Sequence, residues 1–364
     1  MFMYQKIFTD VKASIENGKY LYGDRLPSER EFVEEYKVDR TTVRKAFELL
    51  VKEGYVEKSP GKGSFVSFGK KTSEKDIKTT LGTIAFFLPK SNKNTDRITI
   101  PFYSQLFSIS EQTCKDYSYS IFYSTLEEND SILEIMNQQK VRFVGILFVS
   151  NILEKHIVEA NNLNIPNVLL NNISNLTCSV ISDNYSGSYM VAKHLVELGH
   201  ERFCVLNGIE EYQTAKDRLR GVKEAFKDND INLDNVDVIS DNSWEFEDGF
   251  AAVSRYLETK EIPPTALIAF NDRLANGAMQ AIQKKGLTVP DDISVVGFDN
   301  SDLSKYTSPK LSTVEINAPF LARVAFFNLL MQLKFQKIFP TKVLAPVNYI
   351  ERDSVTSIVS TKKQ

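Results

Sequence analysis

From Leu81 onward the chain alternates short apolar runs with amphipathic helical stretches, and this alternation restricts its fold more than any other feature. The runs are Thr83–Leu88, Ser120–Tyr123, Phe143–Val149, Asn167–Leu170, Val180–Ser182, Phe203–Leu206, Ala266–Phe270 and Ser294–Gly297. Helical patterns such as Gly187–Leu198 and Arg273–Lys284 lie between several of them. Repeated strand–helix–strand order implies parallel sheets with helices on both faces. Roughly 280 residues is generous for one sheet, so two halves with a cleft between them are expected. Even the longest apolar runs, Phe143–Val149 among them, fall far short of the roughly 20 residues of a membrane span. The start, Met1-Phe2-Met3-Tyr4-Gln5-Lys6, turns polar at once and carries no signal-peptide core. Three well-separated cysteines, Cys114, Cys178 and Cys204, make no disulfide framework, so a cytoplasmic protein with reduced, packed thiols is expected.

The first 71 residues differ in character. They hold 14 Lys and Arg against 11 Asp and Glu, whereas the remainder holds 30 against 36. A slightly basic head on an acidic body leaves the head to meet a polyanion. Ile7, Val11 and Ile15 recur at helical spacing, Phe8 widens the stripe, and Gly18 stands where a left-handed C-cap belongs. Ser28 with Glu31 forms a capping box opening a helix that turns Phe32, Val33 and Tyr36 inward. Asp39 caps a third helix, which buries Val43, Ala46, Phe47 and Leu50 before Gly54 ends it. Two short helices joined by a tight turn, the second basic at its start, make a helix-turn-helix. Arg40, Thr41 and Arg44 project from the side opposite Val43 and Phe47. A helix fits the B-DNA major groove, where Arg reaches guanine O6 and N7, while first-turn hydroxyls and N–H groups suit phosphate oxygens. Tyr55–Lys58 and Ser64–Val66 read as two strands around Ser59-Pro60-Gly61-Lys62-Gly63. Its glycines permit the tight turn, and Lys62 at the tip can reach a phosphate or the minor groove.

Residues 4–66 resemble the DNA-binding domain of the GntR family of bacterial regulators. The resemblance is carried by Gly23-Asp24-Arg25-Leu26-Pro27-Ser28-Glu29-Arg30, by Val38-Asp39-Arg40-Thr41-Thr42-Val43-Arg44-Lys45-Ala46, and by Gly54-Tyr55-Val56 with Gly61-Lys62-Gly63-Ser64-Phe65-Val66. It implies a winged helix-turn-helix with DNA contacts from Arg30, Arg40, Thr41, Arg44 and the wing at Gly61, Lys62 and Gly63. Arg30 and Arg44 also read as solvated helix residues, Lys62 as a solubilising loop tip, and Tyr36 and Phe47 as core. The polar stretch that follows lacks apolar periodicity and reads as a tether. The expected organisation is a head over 1–68, a linker over 69–80 and a body over 81–364.

The body contains Val180-Ile181-Ser182-Asp183-Asn184, a second phrase from Ala192 to Arg202, Asp217-Arg218-Leu219-Arg220-Gly221, a fourth from Pro264 to Asp272, and a fifth from Val289 to Asn300. From about Leu81 to Ser354 it resembles the effector-binding domain of LacI/GalR regulators, itself similar to periplasmic sugar-binding proteins of the two-lobed type I class. A GntR-type head on such a body resembles the architecture of AraR-type arabinose repressors. By family position the resemblance implies polar contacts to an effector from Arg218, Asn271 and Asp299, stacking by Trp244, and cleft positions for Asn171 and Phe102. The chemistry suits a sugar: carboxylate, guanidinium and amide groups bond paired hydroxyls, and an aromatic ring covers the C–H face. Asn271 and Asp299 also follow strands, where ligands of open α/β sheets bind. Other roles stay open: Asp299 as a turn cap, Asn271 as an N-cap with or without ligand contact, and Trp244 as a cover for the core. Val144 and Val222 depart from the family phrases, which carry an acidic and an aromatic residue there, and are expected to alter packing near the cleft.

Catalytic signals are scarce. His156, His194 and His200 are scattered, and there is no metal-ligand spacing, no Gly-x-Ser-x-Gly elbow and no phosphate-binding Gly-rich loop. The cysteines sit beside apolar residues and read as inert. No enzyme, cofactor or metal is expected. The expected function is sequence-specific regulation: a homodimeric repressor of carbohydrate-utilisation genes on a double-stranded operator, relieved by a small sugar. Alternatives are a purine or phosphorylated-sugar effector, a sugar-binding transport component, or a sugar-modifying enzyme.

Overall fold

A computed structural model of the chain describes residues 2–16, 19–20, 24–59, 63–67, 80–90, 96–338 and 340–358. Two compact units divide it, Met1–Lys78 and Thr79–Gln364. The expected cap at Gly18, the wing tip Pro60-Gly61-Lys62 and the tether before Thr80 lie outside the described residues.

In the first unit, α1 (Met3–Glu16) packs on α3 (Arg40–Lys52), with α2 (Glu29–Tyr36) between them in sequence. The capping box forms as read: the Ser28 hydroxyl accepts from Glu31 N at 3.3 Å, and the Glu31 carboxylate accepts from Ser28 N at 2.6 Å. Asp39 accepts from Thr42 N at 2.9 Å and starts α3. Lys37 at φ 51° ends α2 in the left-handed region. These caps satisfy end groups that would otherwise need water, which permits helices this short. Ile7, Val11, Phe32, Val43, Ala46, Phe47 and Leu50 close one apolar core. The antiparallel strands β1 (Val56–Ser59) and β2 (Gly63–Val66) complete the winged fold.

The second unit opens with β3 (Thr83–Pro89), α4 (Pro101–Asp116), β4 (Ser120–Leu126) and α5 (Ile132–Gln139). Next come β5 (Phe143–Val149), α6 (Glu154–Asn162), β6 (Asn167–Leu170) and β7 (Cys178–Ser182). The chain then passes into α7 (Asn184–Glu197), β8 (Phe203–Leu206), α8 (Gln213–Asp228), β9 (Val236–Ile239) and α9 (Phe246–Thr259). After these stand β10 (Ala266–Ala269), α10 (Asp272–Lys284), β11 (Ser294–Asp299) and β12 (Ser312–Ile316). It finishes with α11 (Ala318–Phe335), β13 (Lys342–Ala345) and β14 (Val347–Ile350).

Two six-stranded sheets result, in the orders β13-β7-β6-β5-β3-β4 and β14-β12-β11-β10-β8-β9. All pairings are parallel except β12 with β14. Every residue of β6, β7, β8 and β10 is buried, as central parallel strands covered on both faces must be. The chain passes between the sheets at Ser182–Asn184, at Ile316–Ala318 and at Ala345–Val347. Asp183 N donates to the Ala345 carbonyl at 2.9 Å, so the first and last of these passages are tied.

Glycine sets the closeness of the helix pairs. A Cβ on Gly221 of α8 would collide with the Tyr185 carbonyl of α7, and one on Gly277 of α10 with the Phe246 carbonyl of α9. On the first sheet, buried Gln332 of α11 accepts from Asn167 N at 3.2 Å and donates to Asn167 O at 2.9 Å, bonding the helix to the start of β6.

Candidate functional site

A cavity of about 460 Å³ lies where the C-terminal ends of strands from both sheets meet. All six body residues singled out from the sequence line it: Phe102, Asn171, Arg218, Trp244, Asn271 and Asp299. Phe102 comes from the first turn of α4, and Asn171 follows β6 at φ 58°. Asn171 donates to the Ser150 hydroxyl at 3.2 Å, and that hydroxyl donates to Tyr103 at 3.0 Å. The first lobe therefore presents a short polar chain to the cavity.

On the second lobe, Arg218 of α8 is the anchor, with 4 % of its surface exposed. Its Nε donates to Asn184 Oδ1 at 2.8 Å, one terminal nitrogen donates to the Phe270 carbonyl, and the other stands 3.7 Å from Asp299 Oδ1. The guanidinium lies 3.6 Å from the Phe298 ring centre and 5.8 Å from that of Trp244. Burial pulls its pKa down to about 10, against the opposing charges of Asp299 and Asp272. Burial pushes the Asp299 carboxyl up, with Arg218 pulling it back. Asp299 has φ 115° and Asn300 φ 53°, a strained turn of the kind found at ligand sites. The Arg218–Asp299 pair thus sets a guanidinium donor beside a carboxyl acceptor, with the guanidinium held by aromatic packing and a backbone contact.

Asn271 proves to be an N-cap that also faces the cavity. Its carbonyl oxygen accepts from Leu274 N at 2.7 Å, and its amide donates to the Trp244 carbonyl at 3.0 Å. Trp244 is half-buried, covering part of the core and facing the cavity. Its ring covers Gly208, where a Cβ would collide with the indole, and it lines the cavity beside Tyr212.

Sequence reasoning missed several lining residues, notably Arg97, Tyr103, Tyr212, Ser243 and Asp248. Tyr103 neighbours Phe102 and Tyr212 immediately precedes α8, so position offered a signal for both. Arg97 sits in a 3₁₀ turn, Arg97–Thr99, with no periodicity to mark it. The expectation that Val144 alters packing near the cleft is corrected. Val144 stands near the start of β5, against Gly82 before β3, whereas the cavity lies at the opposite ends of these strands. Val222 is fully buried in the core behind α8.

The histidines and cysteines serve the fold. His156 and His200 are buried and hydrogen-bonded to the Glu127 and Thr356 carbonyls, and His194 packs on Tyr349. All three thiols are buried; burial pushes Cys114 up to about 12 and raises Cys178 and Cys204 as well. Among the described residues no cluster of His, Cys, Asp and Glu could hold a metal ion, and no helix is long and apolar enough to cross a membrane.

The first unit presents a separate surface. Arg40, Thr41 and Arg44 are exposed at the start of α3. Glu29 ties the cations together: its Oε2 lies 3.2 Å from Arg40 Nε and 3.4 Å from Arg44 Nε, and its Oε1 lies 3.2 Å from Lys58 Nζ. Partial burial pushes the Glu29 carboxyl up, but hydrogen bonds from Lys58 and Arg40 outweigh it and hold the carboxyl below its usual range. One carboxylate thus gathers three basic side chains from α3 and β1, an arrangement that sequence spacing did not show. Arg30 is exposed and, among the described residues, pairs with Glu34 at 3.2 Å on the same helix. Gly63 begins β2 at φ 117°, close against the Arg25 side chain, while Gly61 and Lys62 lie outside the described residues.

Residues 3–66 match the model of bacterial regulatory proteins of the gntR family, and residues 192–355 match that of the periplasmic binding protein-like domain. The chain is 27% identical over 323 residues to the arabinose metabolism transcriptional repressor of Geobacillus stearothermophilus, covering 85% of each chain. It is 31% identical over 243 residues to the HTH-type transcriptional repressor PurR of Aliivibrio fischeri, covering 64% of this chain and 71% of that one. Among solved structures it resembles the lac repressor dimer bound to operator and the anti-inducer ONPF, with 26% identity and a TM-score of 0.66, covering 77% of this chain and 96% of the other. With these matches on its two units, the chain belongs to the bacterial transcriptional repressors that carry a GntR-type winged head and a LacI-type, periplasmic-binding-like body, as AraR-type repressors do.

Proposed function

We propose that this protein represses carbohydrate-utilisation genes by binding their operator as a homodimer, and that a small sugar in the body cavity relieves the repression. The observation that carries this reading is the convergence of Arg218, Asp299, Asn271, Asn171, Trp244 and Phe102 on one cavity between two lobes. Planar hydrogen-bonding groups beside aromatic rings match a sugar's hydroxyls and C–H faces. The basic face of α3 supports the other half of the reading, since it is open to a DNA groove. A sugar that prefers the closed lobes shifts the dimer toward a geometry less suited to the operator. A tenfold loss of operator affinity requires about 1.4 kcal/mol of coupling. The cavity binds its ligand without turning it over, and the protein works in the cytoplasm, where its DNA is.

Mobility shift with DNA from upstream of the gene, over a salt series and with pentoses and hexoses, tests this. A salt-sensitive specific complex that a sugar weakens tenfold or more is expected. Absence of any specific complex overturns the regulator reading. A complex indifferent to every sugar overturns the effector reading.

A further inference from the structure

The cavity's three arginines are not equivalent. Arg218 faces the Asp299 carboxylate, and Arg273 is paired with Glu245. Arg97 has no carboxylate partner among the described residues. Its Nε is buried and makes no hydrogen bond, and the oxygens around its guanidinium are the hydroxyls of Tyr103 and Tyr212. Asp96, next in the chain, is already engaged, its Oδ1 accepting from Tyr123 at 2.9 Å and from Ile98 N at 3.3 Å. Three acids of the wall are ion-paired, Asp299 with Arg218, Glu245 with Arg273 and Asp241 with Arg255, and Asp248 accepts from the Ser243 hydroxyl. An incoming anion therefore meets one cation that has no carboxylate partner among the described residues.

A partly buried cation without a counter-charge carries a desolvation cost that a ligand's charge would remove. Guanidinium is the side chain best shaped to take a planar carboxylate or a phosphate through parallel N–H···O bonds. Arg97 and Tyr103 come from the first lobe and Tyr212 from the second, so an anion held here would also lie between the lobes.

Resting on the sugar-effector reading, we propose that Arg97 docks an oxyanion on the effector, and that the site takes an acidic sugar in preference to its neutral parent. The shared chemistry is a carboxylate or phosphate on a polyhydroxylated carbon skeleton. Arg218, Asp299 and Trp244 hold the skeleton, and Arg97 adds selectivity for charge.

Titration calorimetry on the full chain tests this with arabinose, glucose, galactose and mannose, with the uronates of the three hexoses, and with their 6-phosphates. One acidic form is expected to bind at least tenfold more tightly than its neutral parent. Preference for a uronate identifies a carboxylate, and preference for a 6-phosphate identifies a phosphate. Arg97→Gln is expected to erase the preference, lowering the acid form's affinity at least tenfold more than the neutral sugar's, and Arg97→Lys to retain part of it. A neutral sugar that binds as tightly as its acid forms overturns this inference and leaves the sugar reading intact. So does a charge preference that survives in Arg97→Gln. If no compound of the series binds, the sugar reading falls and this inference with it.

Discussion

Asp272 shows how much a single side chain can settle. It is fully buried at the first position of α10, and its carboxylate accepts from Thr313 Oγ1 at 2.5 Å and from Ser301 N at 2.6 Å. It thereby ties the helix to β12 and to the loop after β11, the loop that aims Asp299 at the cavity. Burial outweighs those hydrogen bonds and pushes its pKa from 3.8 up to about 6. Between about pH 4 and 6 the folded protein holds a proton that the unfolded chain has released. This group's contribution to stability is therefore largest at the acidic end and is lost as pH rises through the window. Asp272→Asn should flatten that dependence, seen as a smaller fall in the urea midpoint from pH 4 to pH 7 than in the parent protein. An unchanged slope would mean that Asp272 is charged throughout.

Elements behave differently in the two units because their cores differ in size. In the head, α2 has only eight residues, so its cap matters: Ser28→Ala removes one half of the capping box and should cost about 1 kcal/mol. Trp244 is the only tryptophan and lies in the body, so its fluorescence cannot report this loss. Faster amide hydrogen exchange in α2 and α3 should. In the body, close approach at glycine holds two helix pairs as well. Gly277→Ala drives a methyl group into the Phe246 carbonyl and should cost about 1–3 kcal/mol. Here Trp244 fluorescence is the right probe, and a lower urea midpoint with an unchanged slope is expected.

At the scale of the molecule, the two units divide the labour, and the division can be tested by substitution. Arg44 stands on the head beside Glu29, Arg40 and Lys58, with most of its side chain in solvent. Arg44→Ala should weaken operator binding by about tenfold, as loss of a good base contact does. It should leave sugar affinity unchanged, because every cavity residue belongs to the second unit. Anisotropy with labelled operator and calorimetry with the sugar measure the two separately. Saturating sugar, at a hundred times its dissociation constant, should in turn stabilise the body by about 2.7 kcal/mol. A sugar that stabilises the body without touching operator affinity would break the link between the units.

Local patterns settled a large share of this protein before any tertiary contact was considered. Ser28 with Glu31, and Asp39 ahead of Thr42, marked helix starts because a cap involves neighbours three residues apart. Buried strands such as β5, β6 and β8 were legible because burial on both faces demands unbroken apolar runs. Three edge strands were not: β9, β13 and β14 are part-exposed and mixed in composition; nor was the inner strand β12, which opens on buried Ser312 and Thr313. Family phrases located Arg218, Trp244, Asn271 and Asp299, yet only the fold put them beside Phe102 and Asn171 from the other lobe. Glu29 as the centre of three basic groups, and Arg97 as a cation without a carboxylate, were beyond any reading of the sequence. Caps and strands are written in adjacent residues, whereas charge compensation depends on which distant side chains the fold brings within a few ångströms.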